Sequence, residues 1–239
     1  MYAIPVPRKP KPSPPPASGR DANQGTRARA ESAAAELRII GGTMRGRKFA
    51  YSGDPQTRPM KDRVREAVFN LVGTESAGKH ALDLFAGTGA LGLEAISRGA
   101  VAATLLERHF PTAEVVRRNC EALGVSDRTH VLSVNAFVWA RRELGGEGGP
   151  RSEQAWRDLA GNAAWLVFVS PPYDFYLERR DEMLALVELL ERTSPAGSIV
   201  VVEADARFDM GQLPDAEAWD VRAYPPAVVA VWRKVGRLA

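Results

Sequence analysis

The sequence predicts an α/β fold with a mostly parallel, doubly wound sheet. Three observations carry this. From His80 onward, short apolar runs alternate with segments whose apolar residues recur at helical spacing. Two of those runs, 82–85 and 167–169, pass directly into loops of unusual chemistry, Ala86-Gly87-Thr88-Gly89 and Ser170-Pro171-Pro172-Tyr173. Near the end, runs 219–223 and 227–233 are separated only by a short turn, which predicts a closing antiparallel hairpin.

The elements follow in order. Residues 1–35 are rich in Pro, Ala, Ser and Arg with few large apolar side chains, so burial cannot offset the entropy of ordering, and a disordered tail is expected. Residues 36–76 form a basic extension. In it, 37–42 and 47–51 flank a glycine-bearing turn and predict a hairpin, and 59–72 predicts a helix with Val64, Val68, Leu71 and Val72 on one face. Pro59 suits its first turn. Residues 77–239 hold the main domain, with strands predicted at 81–85, 102–107, 129–134, 165–169 and 198–203. Helices are predicted at 90–98, 111–123, 137–143 and 177–193, and 145–151 reads as a glycine-rich loop.

Composition narrows the function classes. No apolar run approaches the roughly 20 residues that span a bilayer. The first twenty residues carry seven prolines and no apolar segment of a secretory signal, so a cytoplasmic protein is expected. Cys120 stands alone, which rules out an internal disulfide. His80, His109 and His130 lack metal-ligand spacing, so no metal is expected. Net charge is only +3, but residues 1–65 carry 14 Lys and Arg against 5 Asp and Glu, leaving the other 174 residues at −6. That asymmetry points the amino-terminal part toward a polyanion. Arg38, Arg45, Arg47, Lys48, Arg63 and Arg65 are the candidate phosphate contacts, because they lie among residues that should fold.

Loops after parallel strands gather at the sheet's carboxyl edge, where ligands bind. Gly87, Gly89 and Gly92 match G-x-G-x-x-G between a strand and a helix, where glycine permits a tight turn and close approach of backbone to a ligand. Glu107 ends the next strand, 18 residues past Gly89, where an acid accepts hydrogen bonds from ribose hydroxyls. A ribose-bearing cofactor is expected, NAD or S-adenosylmethionine. Asp83 sits badly beside a pyrophosphate but suits the cationic amino-acid end of S-adenosylmethionine; capping the loop amides is its alternative role. Asn135 and Ala136 stand where an adenine would pass, and Asn135 serves equally as a helix N-cap.

Ser170-Pro171-Pro172-Tyr173 points to methyl transfer onto an amino group of a planar base. Two prolines fix φ twice and stiffen the loop. The Ser170 hydroxyl and the Pro171 carbonyl can accept both N–H groups of an exocyclic amine, and Tyr173 can stack on an extruded base. Such an amine is a poor nucleophile because its lone pair is delocalised, so catalysis would rest on positioning and electrostatics.

Residues 83–95, together with Arg38-Ile-Ile-Gly-Gly42, Arg45-Gly-Arg47 and 58–67, resemble the RsmD family of bacterial small-subunit rRNA (guanine-N2)-methyltransferases. The resemblance covers about 37–234. It implies a Rossmann-like class I methyltransferase domain using S-adenosyl-L-methionine and acting on small-subunit rRNA or the assembling 30S particle; a monomer is the default expectation. By position, it assigns Asp83, Phe85, Ala86, Gly87, Thr88, Gly89, Glu107, Asn135 and Ala136 to the cofactor, and Ser170, Pro171, Pro172 and Tyr173 to the base. The chain departs from the family pattern at Ser170 and Asn135, where Asp is usual, and at Tyr224-Pro225, where Tyr-Gly is usual. Ser-Pro-Pro-Tyr also resembles the motif of DNA cytosine-N4 methyltransferases, so methylation of another base or of DNA is one alternative. A catalytically inactive RNA-binding protein on the same fold is another. Restoring aspartate at position 170 is expected to raise turnover.

Overall fold

A computed structural model describes residues 36–53, 60–146 and 154–236. The expected disordered tail at 1–35, Pro59 and most of the glycine-rich loop at 145–151 lie outside the described residues.

The extension begins with β1 (Glu36–Arg38) and β2 (Lys48–Ala50), paired antiparallel with Glu36 opposite Ala50, and continues into α1 (Asp62–Val72). The main sheet contains β3 (His80–Asp83), β4 (Ala102–Leu106), β5 (Thr129–Leu132), β6 (Trp165–Val169), β7 (Ile199–Asp205), β8 (Asp220–Tyr224) and β9 (Ala227–Arg233). Their order across it is β5-β4-β3-β6-β7-β9-β8. The first five strands of that row are parallel, and β9 enters antiparallel to β7 with β8 beside it. The connecting helices are α2 (Ala90–Ser97), α3 (Phe110–Leu123), α4 (Ala136–Glu143), α5 (Gln154–Ala160), α6 (Phe175–Glu178) and α7 (Arg180–Thr193).

Both faces of the sheet are covered, which the strands require because they are apolar on both sides. Ala81, Leu105, Phe168 and Val201 join one core cluster with residues of α1, α2 and α3; Leu82, Leu106, Val167 and Val202 join the other with residues of α4 to α7. The alternation along each strand is the two-residue period of β structure. No helix among the described residues is long and apolar enough to cross a membrane.

Two helices differ from expectation. The predicted helix at 177–193 is two pieces, α6 and α7, broken at Arg179 (φ −127°, ψ 33°), whose guanidinium lies over the Phe137 and Phe175 rings at 4.2 and 5.0 Å. The sequence reading omits α5, a helix of seven residues, too short to show a periodicity. Burial of Trp156 between Trp139 and Trp165, with ring centroids 5.2 and 5.9 Å away, anchors it.

The extension is fastened to the main sheet by a buried acid on α2. Glu94, fully buried, accepts from the backbone amides of Ile40 at 2.8 Å and Gly41 at 2.7 Å, and from Arg98 Nε at 2.9 Å; Arg65 Nε lies 3.7 Å away. One turn on, the Ser97 carbonyl oxygen accepts from the Thr43 amide, and a Cβ at Gly42 (φ +74°) would lie 1.9 Å from that oxygen. The Arg38–Gly42 block is therefore a docking turn whose shape needs glycine at 42.

Removing a partner from a buried charge network leaves uncompensated charge, at about 3–5 kcal/mol. Glu94→Ala is expected to lose stability on that scale in urea unfolding, and Gly42→Ala to be destabilised as well.

Candidate active site

Because β3 and β6 are adjacent and in register, Asp83 opposite Phe168, their two following loops leave the sheet side by side. One cavity of about 510 Å³ is lined by both. Ser170, Pro171, Pro172 and Tyr173 all border it, as do Phe85, Gly87, Glu107, Asn135 and Ala136. Its size falls in the range of roughly 300–1,000 Å³ typical of small-molecule sites.

Of the predicted cofactor contacts, Glu107 has the best-defined geometry. One carboxylate oxygen accepts from the Gly87 amide at 3.0 Å and the other from the His109 amide at 2.7 Å. Burial raises its pKa above the usual carboxylate value, while these two amide bonds pull it back. The bonds fix the carboxylate with further lone pairs available to a diol in the cavity. Phe85, Phe137 and Phe175 form an aromatic group on the wall, with centroids 5.7 to 6.2 Å apart. This apolar wall, with an acidic acceptor beside it, fits a ribose-bearing, ring-containing cofactor.

Several predicted contacts are placed elsewhere. Asp83, Ala86, Thr88 and Gly89 are not among the residues lining the cavity. Asp83 is 1% exposed; its Oδ2 accepts from the Gly92 amide at 3.1 Å, and Oδ1 is buried without a hydrogen-bond partner. Its carboxylate thus takes the capping role at the start of α2. Gly89 and Gly92 are both required by packing. A Cβ at Gly89 (φ +78°) would meet Val116 at 2.9 Å, and one at Gly92 would meet Leu105 at 2.7 Å. Asn135 caps α4, its Oδ1 accepting from the Phe137 and Val138 amides, so that acceptor is committed although the residue borders the cavity.

The predicted phosphate contacts need the largest correction. Arg65 is wholly buried, paired with Asp62 at 2.9 Å and donating to the Arg38 carbonyl oxygen, so it cannot touch a nucleic acid. Helical spacing sets it three and seven residues before Val68 and Val72, beside the buried stripe of α1, and the extension folds over that position. Arg47 donates to the Ala122 and Leu123 carbonyls at the end of α3, a favourable place for a cation. Arg38 pairs with Asp62 and Lys48 with Glu36. Arg45 and Arg63 are exposed. At the cavity mouth are Lys61, Arg108 and Arg207, which the sequence reading did not nominate.

It also missed Glu203, two residues before the end of β7. Val169 pairs with Val202, so the next residues, Ser170 and Glu203, come level. Ser170 Oγ donates to Glu203 Oε2, and the Tyr173 hydroxyl donates to Oε1 at 2.7 Å. Glu203 is 5% exposed and borders the cavity. Burial raises its pKa, and the two hydroxyl bonds oppose that. The signal was present in Ile-Val-Val-Val-Glu, an acid closing an apolar strand, the pattern that singled out Glu107.

A family model described as Conserved hypothetical protein 95 matches residues 37–232. Ribosomal RNA small subunit methyltransferase D of Escherichia coli K12 is 32% identical over 209 residues, spanning 87% of this chain and 93% of that protein. The chain belongs to this family. Among solved structures, Escherichia coli yhhF covers 84% of the chain and is itself covered to 99%, at 28% identity and a TM-score of 0.64. Thermus thermophilus RsmC, titled a 16S rRNA N2 G1207 methyltransferase in complex with AdoMet and guanosine, is 18% identical with a TM-score of 0.59. The match spans 84% of this chain and 50% of RsmC, and shows the fold alone. The fold is that of a Rossmann-like class I methyltransferase.

Burial pushes the Asp83 carboxyl up to about 7 from 3.8. Its folded-state pKa is raised, so its contribution to stability is complete below pH ~4, the unfolded value, and is lost as pH rises through about 7. Asp83→Asn removes that dependence. Thermal melts of the cofactor-free proteins should show the variant gaining on wild type between pH 4 and 8.

Proposed function

We propose that this protein transfers a methyl group from S-adenosyl-L-methionine to the exocyclic N2 of a guanine in small-subunit rRNA. The observation that carries the reading is the single cavity shared by the Glu107 and Ser170–Tyr173 loops. Support comes also from membership of a family that includes ribosomal RNA small subunit methyltransferase D.

When bound, the cofactor supplies a methyl group on positively charged sulfur. Glu107 would hold the ribose hydroxyls, with the Phe85 and Phe137 side chains flanking the adenine. Ser170 Oγ and the Pro171 carbonyl would accept the two N–H groups of the base's amine. This aligns its lone pair and removes much of the orientational entropy from the barrier. Pro171 and Pro172 keep the loop from relaxing. Phosphates of the substrate would meet Lys61, Arg63, Arg45 and Arg108, all exposed, rather than Arg65.

Incubation with labelled S-adenosylmethionine and under-modified small subunits, free rRNA or DNA, followed by mapping of the label, tests the reading. Label at guanine N2 of rRNA is expected; label on another base or on DNA would replace it. Binding without transfer would favour an inactive RNA-binding protein. Tyr173→Ala should abolish transfer while keeping cofactor affinity, whereas Glu107→Ala should weaken the cofactor. Lys61→Ala should reduce the slope of log affinity against log salt by about 1, the signature of one lost phosphate contact.

A further inference from the structure

Ser170 carries no charge to balance an amine that turns cationic as its lone pair is committed to a new bond. The missing charge is next door. Glu203 holds both hydroxyls of the base-binding loop, Ser170 on one oxygen and Tyr173 on the other, and all three residues border the cavity. We propose that Glu203 is the positioning residue of the transfer reaction, orienting the Ser170 and Tyr173 hydroxyls as acceptors and supplying the negative charge that serine lacks. This rests on the functional reading above and adds to it.

The argument is one of proton placement. A hydroxyl has one proton and two lone pairs. With its proton given to Glu203, Ser170 can only accept from groups in the cavity, the role an exocyclic amine requires. Tyr173 is fixed in the same sense. Glutamine at 203 would disturb this without changing shape. Its carbonyl can take one hydroxyl proton, but its amide donates to the other hydroxyl, which then turns its own proton elsewhere. A carboxylate beside Ser170 in a low-dielectric wall also favours positive charge on the amine more strongly than it would in water.

The same geometry reverses the expectation that Ser170→Asp raises turnover. An aspartate there would face Glu203 at contact distance, and two adjacent carboxylates cannot both stay ionised cheaply.

The test is a charge relocation between positions 170 and 203, read as kcat, KM for RNA and Kd for cofactor. Glu203→Gln is expected to lower kcat by about 10²-fold, the scale for one preorganised electrostatic partner, with KM and cofactor Kd within about twofold. Ser170→Asp alone should also lose activity, and the double variant S170D/E203Q should recover most of it. A merely structural Glu203 would give no such rescue. If Glu203→Gln disturbs folding or cofactor binding, the double variant decides: restored transfer supports the inference and continued inactivity overturns it. An active wild type matched by Glu203→Gln would overturn this inference alone. A wild type inactive on every nucleic acid would overturn both it and the functional reading.

Discussion

The parallel pairing of β3 with β6 is the constraint on which the site depends. These strands are distant in sequence, and the chain crosses the sheet through β4, β5 and four helices before β6 returns to the far side of β3. At that switch point the loops after the two strands diverge and open a crevice, the usual ligand position in an open α/β sheet. The register, Asp83 opposite Phe168 and Val169 opposite Val202, fixes which residues meet there. A shift by one residue would send Ser170 and Glu203 to opposite faces.

Three acids stand at or near the carboxyl ends of apolar strands at this edge, and burial raises the pKa of each. Their surroundings give them different work. Asp83 faces the start of α2 and serves the loop's own architecture. Glu107 is held by two backbone amides at the cavity, which leaves it rigid and still able to accept. Glu203 is held by two hydroxyls, so its charge reaches the cavity through side chains that would touch the base.

The extension shows how basic residues become structural. Glu94 and Asp62 draw Arg65, Arg98 and the amides of the docking turn into one network around the buried Glu94 and Arg65. Charges removed from water in this way are costly unless paired; Arg65 bonds the Arg38 carbonyl and Asp62 through Nη2 and has Glu94 3.7 Å from Nε. Among the described residues, Arg65 is thereby taken out of the cationic surface, while Lys61, Arg108 and Arg207 line the cavity.

The sequence by itself determined the succession of strands along the chain, the glycine-rich and Pro-Pro loops, and the place of Glu107 after a strand, because apolar periodicity and turn chemistry are local properties of the chain. It also carried the family resemblance. Only the tertiary structure decided that Arg65 is buried, that Asp83 and Asn135 cap helices, and that Glu203 stands behind Ser170. Each of those depends on which distant segment packs against the residue. Helical spacing says which face Arg65 occupies but not what covers that face, and an acid closing a strand says nothing about which hydroxyls a neighbouring strand will bring to it.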